Sequence, residues 1–247
     1  ALNQISEKVI NQVQGKSLEG DKLVETAEKA SDLFHEQFRV SGLTKTAKKL
    51  ADASIASMNN VIRDSKVLKR FLDRIISKTE SKMYQHCQIM VFLSHKTLSQ
   101  LGWDSTDQKQ KMSFVIFFHD LFLKNDSEIA IHDERQLEST PDVQEDQKRR
   151  ISEHALLASE VVKNYSGSPM GAYDIILQHH GKRNGIGYAP ASINLSPMAL
   201  LFMIIEDCTH HLLDQNDDIM TAFEKTKEKY FRGSQKKIVN ALGDTLR

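Results

Sequence analysis

The chain has 247 residues, 40% of them hydrophobic, enough for one large domain, or a domain with a smaller companion, around an ordinary core. Its 33 Lys and Arg balance 33 Asp and Glu, which excludes a broad electrostatic footprint for a nucleic-acid polymer or an acidic membrane surface. Two cysteines, Cys87 and Cys208, make no disulfide framework and fit a reducing cytoplasm, the expected location.

Four prolines and few β-branched alternations predict an all-α chain. Residues 1–41 are polar, with apolar positions at Leu18, Leu23, Leu33, Phe34 and Phe38, and Ser41-Gly42 is a break. From Leu43 to Ile76 the apolar residues Leu50, Ile55, Met58, Ile62, Leu68, Phe71 and Ile75 recur at helical spacing, giving one or two long amphipathic helices. A further helical block covers 79–101, with Gly102 as its stop and Asp104 or Ser105 capping the next helix, 107–123. Residues 124–149 are charged and aperiodic, read as a loop with a short helix. Helices follow from Ser152 through Val162 and over 172–180, then a loop over 181–196.

Pro197 opens a helix that runs to Leu213. Its apolar run, Met198–Ile205, is the longest in the chain and too short to span a bilayer. The blocks 217–232 and 235–246 close the chain. The charge runs Lys148-Arg149-Arg150 and Lys225 to Lys229 read as solvated helix faces. Two parts are expected: an N-terminal helical segment, 1–78, without visible chemistry, and a second part, 79–247, that carries all of it. A long apolar-periodic face in 1–78 points to regulation or homodimerisation.

Chemistry concentrates in two places. Gln178-His179-His180 runs into the basic, glycine-rich stretch Gly181-Lys182-Arg183-Asn184-Gly185-Ile186-Gly187-Tyr188, and His119-Asp120 closes the apolar run Phe114–Phe118. Imidazole and carboxylate are transition-metal ligands. Glycines and Lys or Arg beside a metal suit a phosphate group. His86, His154 and Asp207 complete a set of candidate ligands, each in a predicted helix or at a helix end. Neighbours on a helix point about 100° apart. His119 and Asp120 therefore cannot grip one ion as a fork; they serve neighbouring ions, or Asp120 bridges them. Any one of these histidines alone would read as an ordinary core or surface residue, as do Cys87 and Cys208, read as buried packing, and His210 and His211, read as a surface pair. Arg183 and Lys182 are candidates to clamp a phosphodiester, Arg183 with the bidentate geometry. Gly185 and Gly187 answer a turn and a close backbone approach to a ligand or protein partner. Tyr188 is placed to stack or hydrogen-bond near a substrate.

In order and setting these residues resemble the HD superfamily of metal-dependent phosphohydrolases, most closely its HD-GYP branch, the cyclic di-GMP phosphodiesterases. The pattern is a helical His (His86), HD ending an apolar helix (His119-Asp120), and a His opening a later helix (His154). Then comes HH-E-x-x-D-G-x-G-Y-P, matched from His179-His180 to Tyr188-Ala189-Pro190, and an Asp in an apolar helix (Asp207). The resemblance implies a helical bundle of HD-domain type with an additional N-terminal helical segment. It implies two transition-metal ions, iron or manganese, with Asp120 bridging. His86, His119 and Asp207 would complete one ion, and His154, His179 and His180 the other. The implied reaction is hydrolysis of cyclic di-GMP to pGpG or GMP by a hydroxide bridging the metals, with Arg183 and Lys182 neutralising the phosphate.

The departures are specific. Leu123 stands where the family has Lys, Gly181 where it has Glu, and Asn184 where it has Asp. Ala189 is inserted before Pro190, and Lys82 replaces a Glu that serves a third ion in some members, so two ions are expected. These changes motivate a second reading, a catalytically weak module that binds cyclic di-GMP or a protein partner without turnover.

Overall fold

The structure, a computed structural model, describes residues 2–14, 18–63, 67–141, 143–189, 195–213 and 217–246. It is all-α, with no β-strand among the described residues, and it divides into two compact units, Ala1–Phe92 and Leu93–Arg247. No helix among them is long and apolar enough to cross a membrane.

The first unit holds α1 (Leu2–Gln14), α2 (Gly20–Ser41), α3 (Lys45–Arg63), α4 (Leu68–Lys78) and the start of α5 (Lys82–Leu101). Leu23, Val24, Ala27, Ala30 and Phe34 recur three to four apart and form the buried stripe of α2, which packs against α1, α3 and α4. Gly42 ends α2 at φ +68°, and its N–H returns to the Phe38 carbonyl. The Glu28 carboxylate accepts the N–H groups of Glu80 and Ser81 at 2.6 and 2.7 Å, tying α2 to the turn between α4 and α5. The sequence boundary at 78/79 falls at that turn. The compact units part later, inside α5, because Phe92 stacks on Phe71 of α4 with centroids 4.5 Å apart.

The second unit continues from α5 through α6 (Thr106–Phe118), α7 (Asp126–Ile129), α8 (Glu134–Ser139) and α9 (Glu145–Lys163). It closes with α10 (Ala172–Gln178), α11 (Pro197–Leu213), α12 (Ile219–Tyr230) and α13 (Gln235–Leu246). Ser105 caps α6 by accepting the Gln108 N–H. The short α10 packs against α6, α9 and α11, while α11 packs against α12 and α13. Two ends differ from expectation. α6 stops at Phe118 rather than 123, since Leu121 and Leu123 stay buried in the turns that follow and prolong the apolar pattern without prolonging the helix. α9 starts at Glu145, two turns early, with the Gln147 side chain accepting the Gln144 N–H; these first turns are polar and leave no periodic signal.

Arg150, expected on a solvated face, is instead a clamp. Its guanidinium donates two 2.6 Å bonds to the Glu128 carboxylate and a third, 2.8 Å, to the Phe122 carbonyl. The clamp fixes the turn two residues beyond Asp120 onto α9. Burial alone would raise the Glu128 carboxyl, but the Arg150 bonds and the Lys124 N–H outweigh it and hold the group below the usual carboxylate range. The stability it contributes is therefore complete above the unfolded value and lost as pH falls through the folded one. Glu128→Gln is expected to cost about 1–3 kcal/mol at neutral pH. Thermal melts from pH 7 to 3 should show a smaller acid-induced loss in the variant; parallel curves would remove Glu128 from the account.

Candidate metal centre

Backbone geometry sets the histidines before any ligand is considered. His119 follows α6 as its C-cap, His154 lies inside α9, and His179 is the C-cap of α10. In each, Nδ1 bonds the carbonyl three residues back: His119 to Ile116 at 2.7 Å, His154 to Ile151, and His179 to Ile176 at 2.6 Å. A carbonyl only accepts, so each Nδ1 carries the proton. In the neutral ring the lone pair is then on Nε2, the tautomer a metal ligand needs.

Those Nε2 atoms converge. His154 Nε2 lies 3.1 Å from His179 Nε2 and 3.0 Å from His180 Nε2. Two neutral rings that present lone pairs to each other at this range repel. Two nitrogens bound at about 2.1 Å to one ion, at right angles, lie about 3 Å apart. The trio fits a metal ion. The Asp120 carboxylate faces two ways: Oδ2 is 3.0 Å from His119 Nε2, while Oδ1 is 3.3 Å from His154 and 3.9 Å from His179. Asp120, His179 and Glu206 form a further group whose ligand atoms lie within 4.8 Å of one another. Phe202 walls the cluster, its ring 5.1 Å from that of His119 and 5.7 Å from that of His179.

The electrostatics follow from burial and close charge. Burial would raise Asp120, but His119 and His154 overturn it and hold the carboxyl well below its ordinary value. Burial and the neighbouring histidines push His179 and His180 well below theirs, toward neutral rings. Burial works against charge on His119, yet Asp120 and then Glu206 lift it to about 9. Burial pushes Glu206 up to about 8, Asp120 adding to it and His119 opposing. An anionic Asp120 beside neutral His179 and His180 is the ligand state that metal binding requires, while His119 would have to release a proton to an incoming ion.

One expected ligand, Asp207, lines the cavity beside the cluster rather than joining it. Asp207 is in none of these groups; it accepts from Lys229 Nζ, and its Oδ2 is 3.7 Å from His211 Nε2. The two residues are adjacent on α11, so when Glu206 faces the cluster Asp207 turns about 100° away. His86 is buried on α5, in the first unit. His210 is buried, against its reading as a surface residue, with its ring 3.8 Å from that of His132.

The glycine loop closes on the protein rather than on the cavity. Gly185 and Gly187 both sit at φ +68°, conformations that L side chains resist. The Leu156 N–H donates to the Gly185 carbonyl at 3.2 Å and the Gly187 N–H to the Ser152 carbonyl at 2.7 Å. These bonds bracket His154 on α9. Tyr188 donates its hydroxyl to the Ile131 carbonyl at 2.9 Å and rests its ring against His180, centroids 4.3 Å apart. Its polar tip is spent on the fold, and its ring buttresses His180. Pro190, the end of the motif, lies outside the described residues.

A cavity of about 50 Å3 opens beside the cluster, with His132, His180, Tyr188, Glu206, Lys229 and Tyr230 in its wall. Lys182, half-buried, and Arg183, exposed, are not in that wall. Glu206, His132 and Lys229 are the site residues that sequence reading missed. For Glu206 a signal existed: it stands four residues after Phe202, one turn along the same face.

No protein-family model matches the chain, and no curated protein matches it. Among solved structures it is similar to Bd1817, a HDG"Y"P protein from Bdellovibrio bacteriovorus. The two are 14% identical with a TM-score of 0.63, over 96% of this chain and 76% of that one. The chain shares that protein's all-α fold.

Proposed function

We propose that the chain is a divergent HD-GYP protein, a metal-dependent phosphodiesterase that hydrolyses cyclic di-GMP to pGpG or GMP. The observation that carries this reading is the convergence of the His154, His179 and His180 Nε2 atoms beside the two-faced Asp120 carboxylate. Bound transition-metal ions, iron or manganese, supply Lewis acidity and an activated water near neutral pH. His154, His179 and His180 would hold one ion. His119 would serve the other with Glu206 in the place first expected of Asp207, and with His86 proposed from its position in the motif order. Asp120 offers one oxygen to each side.

The chain's own residues would do the rest. The carbonyls of Ile116, Ile151 and Ile176 keep three imidazoles oriented. Tyr188 and Phe202 exclude water from the cluster's flanks. Leu123 is buried where the family resemblance expects Lys, so it offers no proton to a leaving oxygen.

The second reading is a module that binds cyclic di-GMP or a protein partner without turnover, and one observation favours its protein-partner form. Cavities that take small ligands hold about 300–1,000 Å3, and the one beside the cluster holds about 50 Å3. Anaerobic assay of iron- or manganese-loaded protein against cyclic di-GMP, pGpG, ppGpp and mononucleotides separates the two. The primary reading expects cyclic di-GMP to be cut in preference to the others. Binding by calorimetry with no product from fully metallated protein would replace it with the second. The N-terminal helices are proposed to regulate or dimerise a cytoplasmic protein, a state that light scattering on the whole chain reads directly; a monomer at assay concentrations would end the dimer proposal. The exposed Val40 and Ile76 support it.

A further inference from the structure

The phosphate-clamping residues expected from sequence, Lys182 and Arg183, do not line the cavity, yet a phosphodiester brought to it would need its charge met. Among the described residues that line it, Lys229 is the one of fixed positive charge. Its side chain is 53% exposed while that of its partner Asp207 is 11% exposed, so the ammonium spans solvent and cavity wall. Its Nζ pairs with Asp207 Oδ1. The other Asp207 oxygen is buried, with His211 Nε2 3.7 Å away, beyond hydrogen-bond reach, and burial holds that imidazole below its ordinary value.

Resting on the phosphodiesterase reading, we propose that Lys229 is the phosphate-binding cation of this site and that Asp207 is its resident counter-ion. An incoming phosphate oxygen takes the place of the Asp207 oxygen on the Lys229 ammonium. A lysine suits this exchange because its charge sits at the end of a flexible stem and its three donors rotate freely. The exchange leaves the Asp207 carboxylate, 11% exposed, without its lysine, a cost that opposes phosphate and that Asp207→Asn removes. The lysine of the family pattern, replaced here by buried Leu123, is thereby compensated from a different helix, α12.

The test uses the full chain loaded with manganese, inorganic phosphate titrated by calorimetry, and elemental analysis of each variant. Lys229→Met is expected to keep its metal and weaken phosphate binding roughly ten-fold or more, with Lys229→Arg recovering part of the loss. Asp207→Asn, which removes the competing carboxylate, is expected to keep its metal and tighten phosphate binding several-fold. A Lys229→Met protein that binds phosphate as the parent does would overturn the proposal. So would a parent that binds none, or an Asp207→Asn variant weakened as much as Lys229→Met. Cyclic di-GMP hydrolysis is read separately: its absence alongside these phosphate results defeats the phosphodiesterase reading and leaves the Lys229 assignment standing.

Discussion

Asp120→Ala is expected to lower metal-dependent hydrolysis about a thousand-fold or more and to strip the protein of bound metal. Asp120 is the group placed to touch both halves of the cluster, with Oδ2 3.0 Å from His119 and Oδ1 3.3 Å from His154. It is also buried and held anionic by the histidines around it. Removing it leaves several imidazoles facing one another without a negative charge to bind a dication. A thousand-fold loss corresponds to about 4 kcal/mol of transition-state stabilisation, within what a metal site supplies. Asp120→Asn separates charge from shape. It keeps the volume, so the fold should melt near the parent temperature, while metal content and turnover still collapse. Elemental analysis and the hydrolysis assay on the same samples decide this, and a metal-replete, active Asp120→Asn protein would contradict the assignment.

Gly185→Ala is expected to destabilise the chain by about 3 kcal/mol and lower Tm by roughly 6–12 °C. Two costs add. At φ +68° any L side chain is strained by about 1–2 kcal/mol. A Cβ there would also stand 2.5 Å from Leu177 Cδ1 and 3.0 Å from the Leu156 nitrogen. Leu177 can shift; the α9 backbone cannot without breaking the bond that the Leu156 N–H gives to the Gly185 carbonyl. Because Ser152 and Leu156 bracket His154, the displacement would reach the cluster. Metal affinity is expected to fall with stability. Gly167→Ala is the control: φ is +92° but a Cβ would meet nothing within 4 Å, so only the backbone cost remains. Equal melting temperatures for the two variants would show that the contact with α9 carries no weight.

Much of the helical architecture is legible in the sequence, since apolar residues at helical spacing mark the long helices from α2 to α4 and the short α13. What periodicity cannot supply is phase. In α11 every residue from Ala199 to Ile205 is buried, so the helix has no polar stripe to show which way residues 206 and 207 face. The inward carboxylate is Glu206, and only packing against Phe202 and the histidines decides it. Turns are hidden for a related reason: Leu121 and Leu123 are buried like helix residues, so burial pattern alone runs α6 on through His119 and Asp120. Charge runs mislead where a single member turns inward, as Arg150 does toward Glu128 and Lys229 toward Asp207. The histidines themselves were visible because their order, rather than any one of them, was distinctive. The carbonyls that set their tautomers are backbone atoms and leave no trace in side-chain sequence.

The most direct test of the account is the metal content of the whole chain after anaerobic loading with iron or manganese and removal of free metal. The account predicts two ions per chain in the parent, two in Asp207→Asn, and a loss in Asp120→Asn and in His154→Ala. A folded parent that retains no metal, or one whose metal survives the loss of Asp120 and His154, would contradict it.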